Sequence, residues 1–374
     1  MSKVQFTIEA QYQKARVGTI HLNGVTVRTP VFMPVGTKAT IKWLPLEWLQ
    51  KAYLGTDDDI RLILANTFHL YLHPGAERIA QHGGLHQFQQ RDGLILTDSW
   101  WFQVFSLGLS KTGKSLVNIH PHGVTFTSPY DGSKHLFTPQ SVVDTQRAFR
   151  SDIMMMLDVC SPVHNISKKE VAEQMHITHR WAKEAYQHHM EQYEQHPWVL
   201  FPIIQWGLYT DLREESAHLL QQYATDGIAI GGLSVGETKE EMQHILEHLT
   251  SHLPEDKPRY VMWIGTPEDI RTAIYAGIDM FDCVMPTRLG RHGTAFTAQG
   301  NLHLKKATCK DDLGPVEPTC RCMTCTKYTR SYLHHLIKEK EMLWWMLLSL
   351  HNIAYLQQIV ENIHQEIREN SIWK

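Results

Sequence analysis

Eight short apolar runs, separated by amphipathic stretches, limit most severely how this chain can fold. They are "VFMPV" at 31, "LILAN" at 62, "LILTD" at 94, "IMMMLD" at 153, "LFPIIQ" at 200, "IAIGGL" at 228, "YVMWIG" at 260 and "MFDCVM" at 280. Each is nearly continuous in apolar residues and is followed by glycine or a polar residue. A run apolar at successive positions suits a strand of a parallel sheet covered on both faces. The intervening segments 167–195, 209–224, 238–253 and 266–277 predict helices, the last opening with Thr as N-cap and Pro at the first helical position. Strands alternating with helices predict the α/β class, a (β/α)8 TIM barrel. The competing architecture is an open doubly wound sheet, disfavoured because no G-x-G-x-x-G follows an early strand.

A chain of 374 residues fits one such barrel with insertions. The expected organisation is a barrel over 1–300 with a hairpin insertion at about 106–138, a zinc-binding insertion over 301–350, and a C-terminal helix over 351–374 that completes the barrel. Within the first insertion, "GVTFTSPYDGSKHLFT" reads as a β-hairpin with Asp-Gly at its turn. No stretch of ~18 apolar residues is present, so no membrane span is expected. The start "MSKVQFTIEA" carries no signal-peptide pattern, which makes the cytoplasm the expected compartment.

In a barrel of this kind the active site lies at the carboxyl ends of the strands. Those ends supply Asp98, Asp158, Gln205, Gly231-Gly232, Met262 and Asp282. Any one aspartate can be the N-cap of the next helix. Three together with an amide point to a site, because carboxylates can act as nucleophile, acid–base or hydrogen-bond acceptor.

"CRCMTC" places Cys320, Cys322 and Cys325 in a C-x-C-x2-C spacing. A fourth ligand can come from His351 in "LSLHN", with His334 and His335 in "YLHHL" as competitors. Three sulfurs and one nitrogen make a closed, structural zinc site. Cys160, Cys283 and Cys309 stand apart and read as ordinary thiols. The net charge of −3 does not advertise a nucleic-acid partner. A local basic patch is nevertheless available in Arg288, Arg291, Lys305, Lys306 and Lys310.

The strings "ANTFHLYLHPG", "GGLHQF", "GGLSVGE", "FDCVMPTR" and the C-x-C-x2-C with "LHN" closely resemble the tRNA-guanine transglycosylases, over about residues 15–365. The resemblance implies a zinc-containing (β/α)8 barrel. It also implies exchange of guanine at the first anticodon position of tRNA for a 7-deazaguanine base, a step of queuosine biosynthesis. It assigns Asp282 as the nucleophile at ribose C1′ and Asp98 as the general acid–base. Asp158, Gln205 and the Gly232 backbone would read the guanine edge, and Phe102 and Met262 would sandwich the base. Arg288 and Arg291 would grip the anticodon loop, and Cys320, Cys322, Cys325 and His351 would hold one Zn2+. Val235 in "GGLSVGE" implies the small precursor base, 7-aminomethyl-7-deazaguanine. The family also implies a homodimer. Two other classes compete: a non-catalytic tRNA-binding subunit on the same fold, and a barrel metallohydrolase. The first would lack the catalytic pair, and the second wants a His-x-His at a strand end that this sequence does not show.

One departure is systematic. Trp43, Trp100, Trp101, Trp206, Trp263 and Trp344 stand where the family pattern has glycine, whereas Trp181 stands where the family itself has tryptophan. Drift would scatter over many residue types. A single decoding difference accounts for all six: a source that reads UGA as glycine, with the chain translated as if UGA were tryptophan. A divergent member with a filled, inactive pocket is the competing expectation, with Trp100, Trp101, Trp206 and Trp263 as the filling.

Overall fold

The computed structural model describes residues 2–99, 116–164 and 166–371. Trp100, Trp101 and Phe102, together with the start of the expected hairpin insertion, lie outside the described residues.

All eight apolar runs form strands. They are β1 (Val31–Pro34), β2 (Leu62–Asn66), β3 (Leu94–Asp98), β4 (Ile153–Met155), β5 (Val199–Phe201), β6 (Ile228–Ile230), β7 (Arg259–Val261) and β8 (Met280–Cys283). A two-residue segment, Ile203–Ile204, continues beyond β5 after Pro202. The pairings are all parallel. One sheet runs β5-β4-β3-β2, and the other runs from Ile203–Ile204 through β6, β7 and β8 to β1. Pro202 lacks an N–H and so interrupts the ladder between the two, although its carbonyl still accepts from the Ala229 amide at 2.9 Å. Just past β1, Val35 bridges Leu64 of β2 in parallel.

Both faces of these strands are covered, which is why the runs are continuous. Met33, Leu64, Leu96, Met155, Phe201, Ala229, Tyr260 and Met280, at least one residue from every strand, share one apolar cluster. Alternate residues such as Met154, Leu200, Ile230, Val261 and Phe281 pack instead beneath helices. Those helices are α1 (Lys168–Met190), α2 (Thr210–Leu220), α3 (Lys239–Leu249), α4 (Pro267–Tyr275) and α5 (Leu343–Ser371). Ser167 and Glu170 form a capping box on α1, and the Thr266 side chain accepts from the Asp269 amide at the start of α4.

Three features extend the sequence expectation. Residues 5–29 form an antiparallel three-stranded sheet whose Ile20, Leu22 and Val27 join the cluster shared by the strands. In the first insertion the hairpin pairs Gly123–Thr127 with Lys134–Phe137 around Asp131-Gly132, and Val117–His120 adds a third strand. The final helix begins at Leu343, eight residues before the expected start at 351. Among the described residues no helix is long and apolar enough to cross a membrane.

Candidate active site and metal centre

The strand ends bring the predicted carboxylates to one place. Asp98 is the last residue of β3 and is half-buried. Its carboxylate accepts from the Asn66 side chain at 2.7 Å and the Thr67 amide at 3.0 Å, both at the end of the neighbouring β2. Burial raises its pKa to about 7. Those hydrogen bonds oppose the shift, and the nearby Asp282 and Asp158 charges add to it. Asp282 lies on β8. It accepts from the Tyr260 hydroxyl at 2.6 Å and from the backbone amide of residue 263 at 3.0 Å. Burial raises it to about 6 against those two donors. Tyr260 is itself pushed well above its ordinary range, by burial first and by the facing carboxylate, so its phenol stays a donor.

Asp158, in the loop after β4, accepts from the Ser99 hydroxyl at 2.9 Å and from the Gln205 amide nitrogen. Burial raises it to about 6. Among the described residues the Gln205 carbonyl oxygen is buried and has no hydrogen-bond partner. Glycines at 231 and 232 are needed beside it. A Cβ at either position would come within 3.0 Å of the Gln205 amide group, and Gly232 has φ +65°. The buried Arg213 guanidinium ties these loops together by donating to the carbonyls of Gly207, Gly231 and Gly232. Asp98, Ser99, Asp158, Cys160, Gln205, Gly231, Gly232, Leu233, Met262 and Trp263 line a cavity of about 30 Å3. Asp282 does not line it but accepts the backbone N–H of Trp263, which does.

Cys320, Cys322, Cys325 and His351 meet as a buried cluster whose ligand atoms all lie within 4.8 Å of one another. The His351 Nδ1 atom stands 3.7, 3.7 and 3.2 Å from the three sulfurs. A zinc tetrahedron with bonds of about 2.3 Å to sulfur and about 2.0 Å to nitrogen has N···S edges of roughly 3.5 Å. The donor set therefore fits that ion. The His351 Nε2–H donates to the Phe296 carbonyl at 2.8 Å, which leaves Nδ1 free to face the sulfurs. Of the competing histidines, His334 is turned to the Leu304 carbonyl at 2.8 Å.

Arg288 and Arg291 lie on the short helix Met285–Arg291 that directly follows β8. Burial and the Arg288 charge lower Arg291. Burial, Arg291 and Lys38 lower Lys42. Two lysines from a distant loop therefore join the predicted basic group. Lys305, Lys306 and Lys310 are exposed. None of these seven cations forms an ion pair among the described residues.

The family model for queuine tRNA-ribosyltransferase matches residues 11–374. The queuine tRNA-ribosyltransferase of Francisella tularensis subsp. novicida is 44% identical over 370 residues, covering 99% of this chain and 96% of that protein. Its namesake in Solibacter usitatus is 44% identical over 376 residues, with the same coverage. The chain belongs to the queuine tRNA-ribosyltransferase family.

Within this family member, sequence reasoning missed Tyr260, Asn66, Ser99 and Arg213. Tyr260 sits inside an apolar run and reads as core. Asn66 and Ser99 carry the weak signal of a polar residue ending or following a strand. Cys160, expected to be an ordinary thiol, lines the cavity. Phe102, expected to sandwich the base opposite Met262, lies outside the described residues.

Proposed function

We propose that this chain exchanges guanine in a tRNA anticodon for a 7-deazaguanine base through a covalent Asp282–ribose intermediate. The observation that carries the reading is the pair Asp98 and Asp282 on two strand ends, with Asp158 and Gln205 joined beside them. The Asp282 carboxylate attacks C1′, the C1′–N9 bond breaks, and Asp98 gives its proton to the departing guanine. The incoming base then loses its N9 proton to Asp98 and attacks C1′, which releases Asp282. Two inversions retain the stereochemistry. A carboxyl with a pKa near 7 can both give and take that proton. Asp158, Gln205 and the Gly232 backbone read the purine edge common to both bases. Met262 and Phe102 stack on its faces, and the base must leave the anticodon stack to reach them. Val235 favours 7-aminomethyl-7-deazaguanine as the incoming base.

The finer architecture belongs to the same proposal. The eight parallel strands close as a (β/α)8 barrel, supported by the β8–β1 pairing, the Val35–Leu64 bridge and the single cluster that every strand feeds. One Zn2+ is held by Cys320, Cys322, Cys325 and His351 and supplies structural cross-linking alone. Arg288 and Arg291 grip the anticodon loop, and the working unit is a cytoplasmic homodimer. A second reading, a tRNA-binding subunit without exchange activity, draws support from the small cavity beside Trp263. A denaturing gel of protein with tRNA separates the two. A band shifted by covalent tRNA, absent in Asp282→Asn, supports exchange, whereas no shifted band supports the second reading.

A further inference from the structure

Three of the tryptophans that stand at family glycine positions also have glycine backbones. Trp43 has φ +62°, Trp263 +66° and Trp206 +104°. Trp48, Trp181, Trp198, Trp344 and Trp345 do not have positive φ. For a bulky L-residue a positive φ is an outlier, and +104° lies beyond even the left-handed well that asparagine visits.

The backbone cannot relax at two of these positions without cost to the site. The peptide at 263 is turned so that its N–H meets the Asp282 carboxylate. The peptide at 206 follows Gln205, whose amide holds Asp158. The Trp206 side chain gains an edge-on ring contact with His179, at 6.2 Å between ring centroids. Trp206 is fully buried among Val171, Met175 and Leu212, yet among the described residues its indole N–H has no hydrogen-bond partner. Trp181, equally buried and at a family tryptophan position, donates its indole N–H to the Pro121 carbonyl at 2.9 Å. Buried indoles ordinarily find such a partner. Trp263 lines a cavity of about 30 Å3, room for a water and far below the roughly 300 Å3 at which small-molecule sites begin.

We propose that positions 43, 206 and 263 are glycine in the functional protein, encoded by UGA codons that its source decodes as glycine, and that glycine at 263 opens the base pocket, which Trp263 lines. Trp344 lies in α5 with no backbone demand of this kind. Trp100 and Trp101 fall outside the described residues. The activity consequence rests on the base-exchange reading. The glycine assignment does not.

The gene's codons give the direct test. UGA at 43, 206 and 263 with UGG at 181 is expected, and UGG at 206 and 263 overturns the proposal. A second test compares the full chain as written with Trp206→Gly, Trp263→Gly and the double variant by thermal unfolding and labelled-guanine exchange. Deleting a well-packed tryptophan ordinarily lowers the midpoint. Here a rise of a few degrees is expected, with exchange increased by at least about tenfold in the variants carrying Trp263→Gly. A lower midpoint in both single variants overturns the proposal. UGA codons and a raised midpoint without exchange would uphold the glycine assignment and count against base exchange instead.

Discussion

Tyr260 donates a 2.6 Å hydrogen bond to Asp282 from the neighbouring strand, so β7 holds the carboxylate that β8 carries. The hydroxyl stabilises the charged form of Asp282 and opposes the burial that raises it. Tyr260→Phe should therefore raise the Asp282 pKa above about 6 and shrink its ionised fraction at neutral pH. A shift of about one unit would move the acid limb of the exchange rate upward by the same amount and lower the rate near pH 6 by up to about tenfold. A pH–rate profile checks this. An unchanged acid limb would leave Tyr260 a packing residue only.

Asp98 gives a stability prediction with a definite sign. Its folded pKa, about 7, lies above the ordinary carboxylate value, so the folded state holds its proton more tightly than the unfolded chain. The stabilisation this brings is full below about pH 4 and is lost as pH rises through about 7. Asp98→Asn, which cannot ionise, should be more stable than the parent at pH 8, by on the order of 1–3 kcal/mol. The difference should shrink or reverse at pH 4, while exchange activity falls sharply. Denaturant unfolding at the two pH values measures it.

The cysteine cluster predicts one zinc per chain. Cys322→Ser and Cys325→Ser should each lose the metal and lower the unfolding midpoint, because the binding energy of a structural zinc is folding energy. Metal analysis alongside thermal unfolding tests this, and full zinc content in both variants would refute the ligand set.

The basic group predicts a salt signature. Arg288→Ala, Arg291→Ala and Lys42→Ala should each weaken tRNA binding and reduce the slope of log affinity against log salt by about 0.7–0.9 for each lost phosphate contact. Binding titrations at several salt concentrations read this. Unchanged slopes in all three would move the RNA surface elsewhere.

The legible part of this molecule was the part whose chemistry repeats along the chain. β2 reads "LILAN" and is buried at all five positions, so its apolar run and its burial are the same fact. Asp98, Asp158 and Asp282 stood out because each charge breaks or closely follows such a run. The N-terminal strand Gln5–Tyr12 has no fully buried residue, which leaves nothing periodic to find. Tyr260 was hidden because a tyrosine in a strand looks like core until its hydroxyl is seen to reach Asp282. Lys38 and Lys42 join Arg291 only through the fold, since about 250 residues separate them.

His351 and Asn352 are adjacent on α5, and they face two different tasks. His351 completes the cysteine cluster and donates to the Phe296 carbonyl, while the Asn352 side chain accepts from the Phe296 amide and donates to the carbonyls of Thr294 and Pro286. Pro286 opens the helix that carries Arg288 and Arg291. That helix lies so close to α5 that a Cβ on Gly290 would come within 2.8 Å of the Ser349 amide nitrogen. The proposed zinc site and the proposed anticodon contacts thus share one support on α5. Stripping the metal should slacken the hold on the anticodon before it disturbs the carboxylates that do the chemistry, so a metal-starved protein would fail first as a tRNA binder.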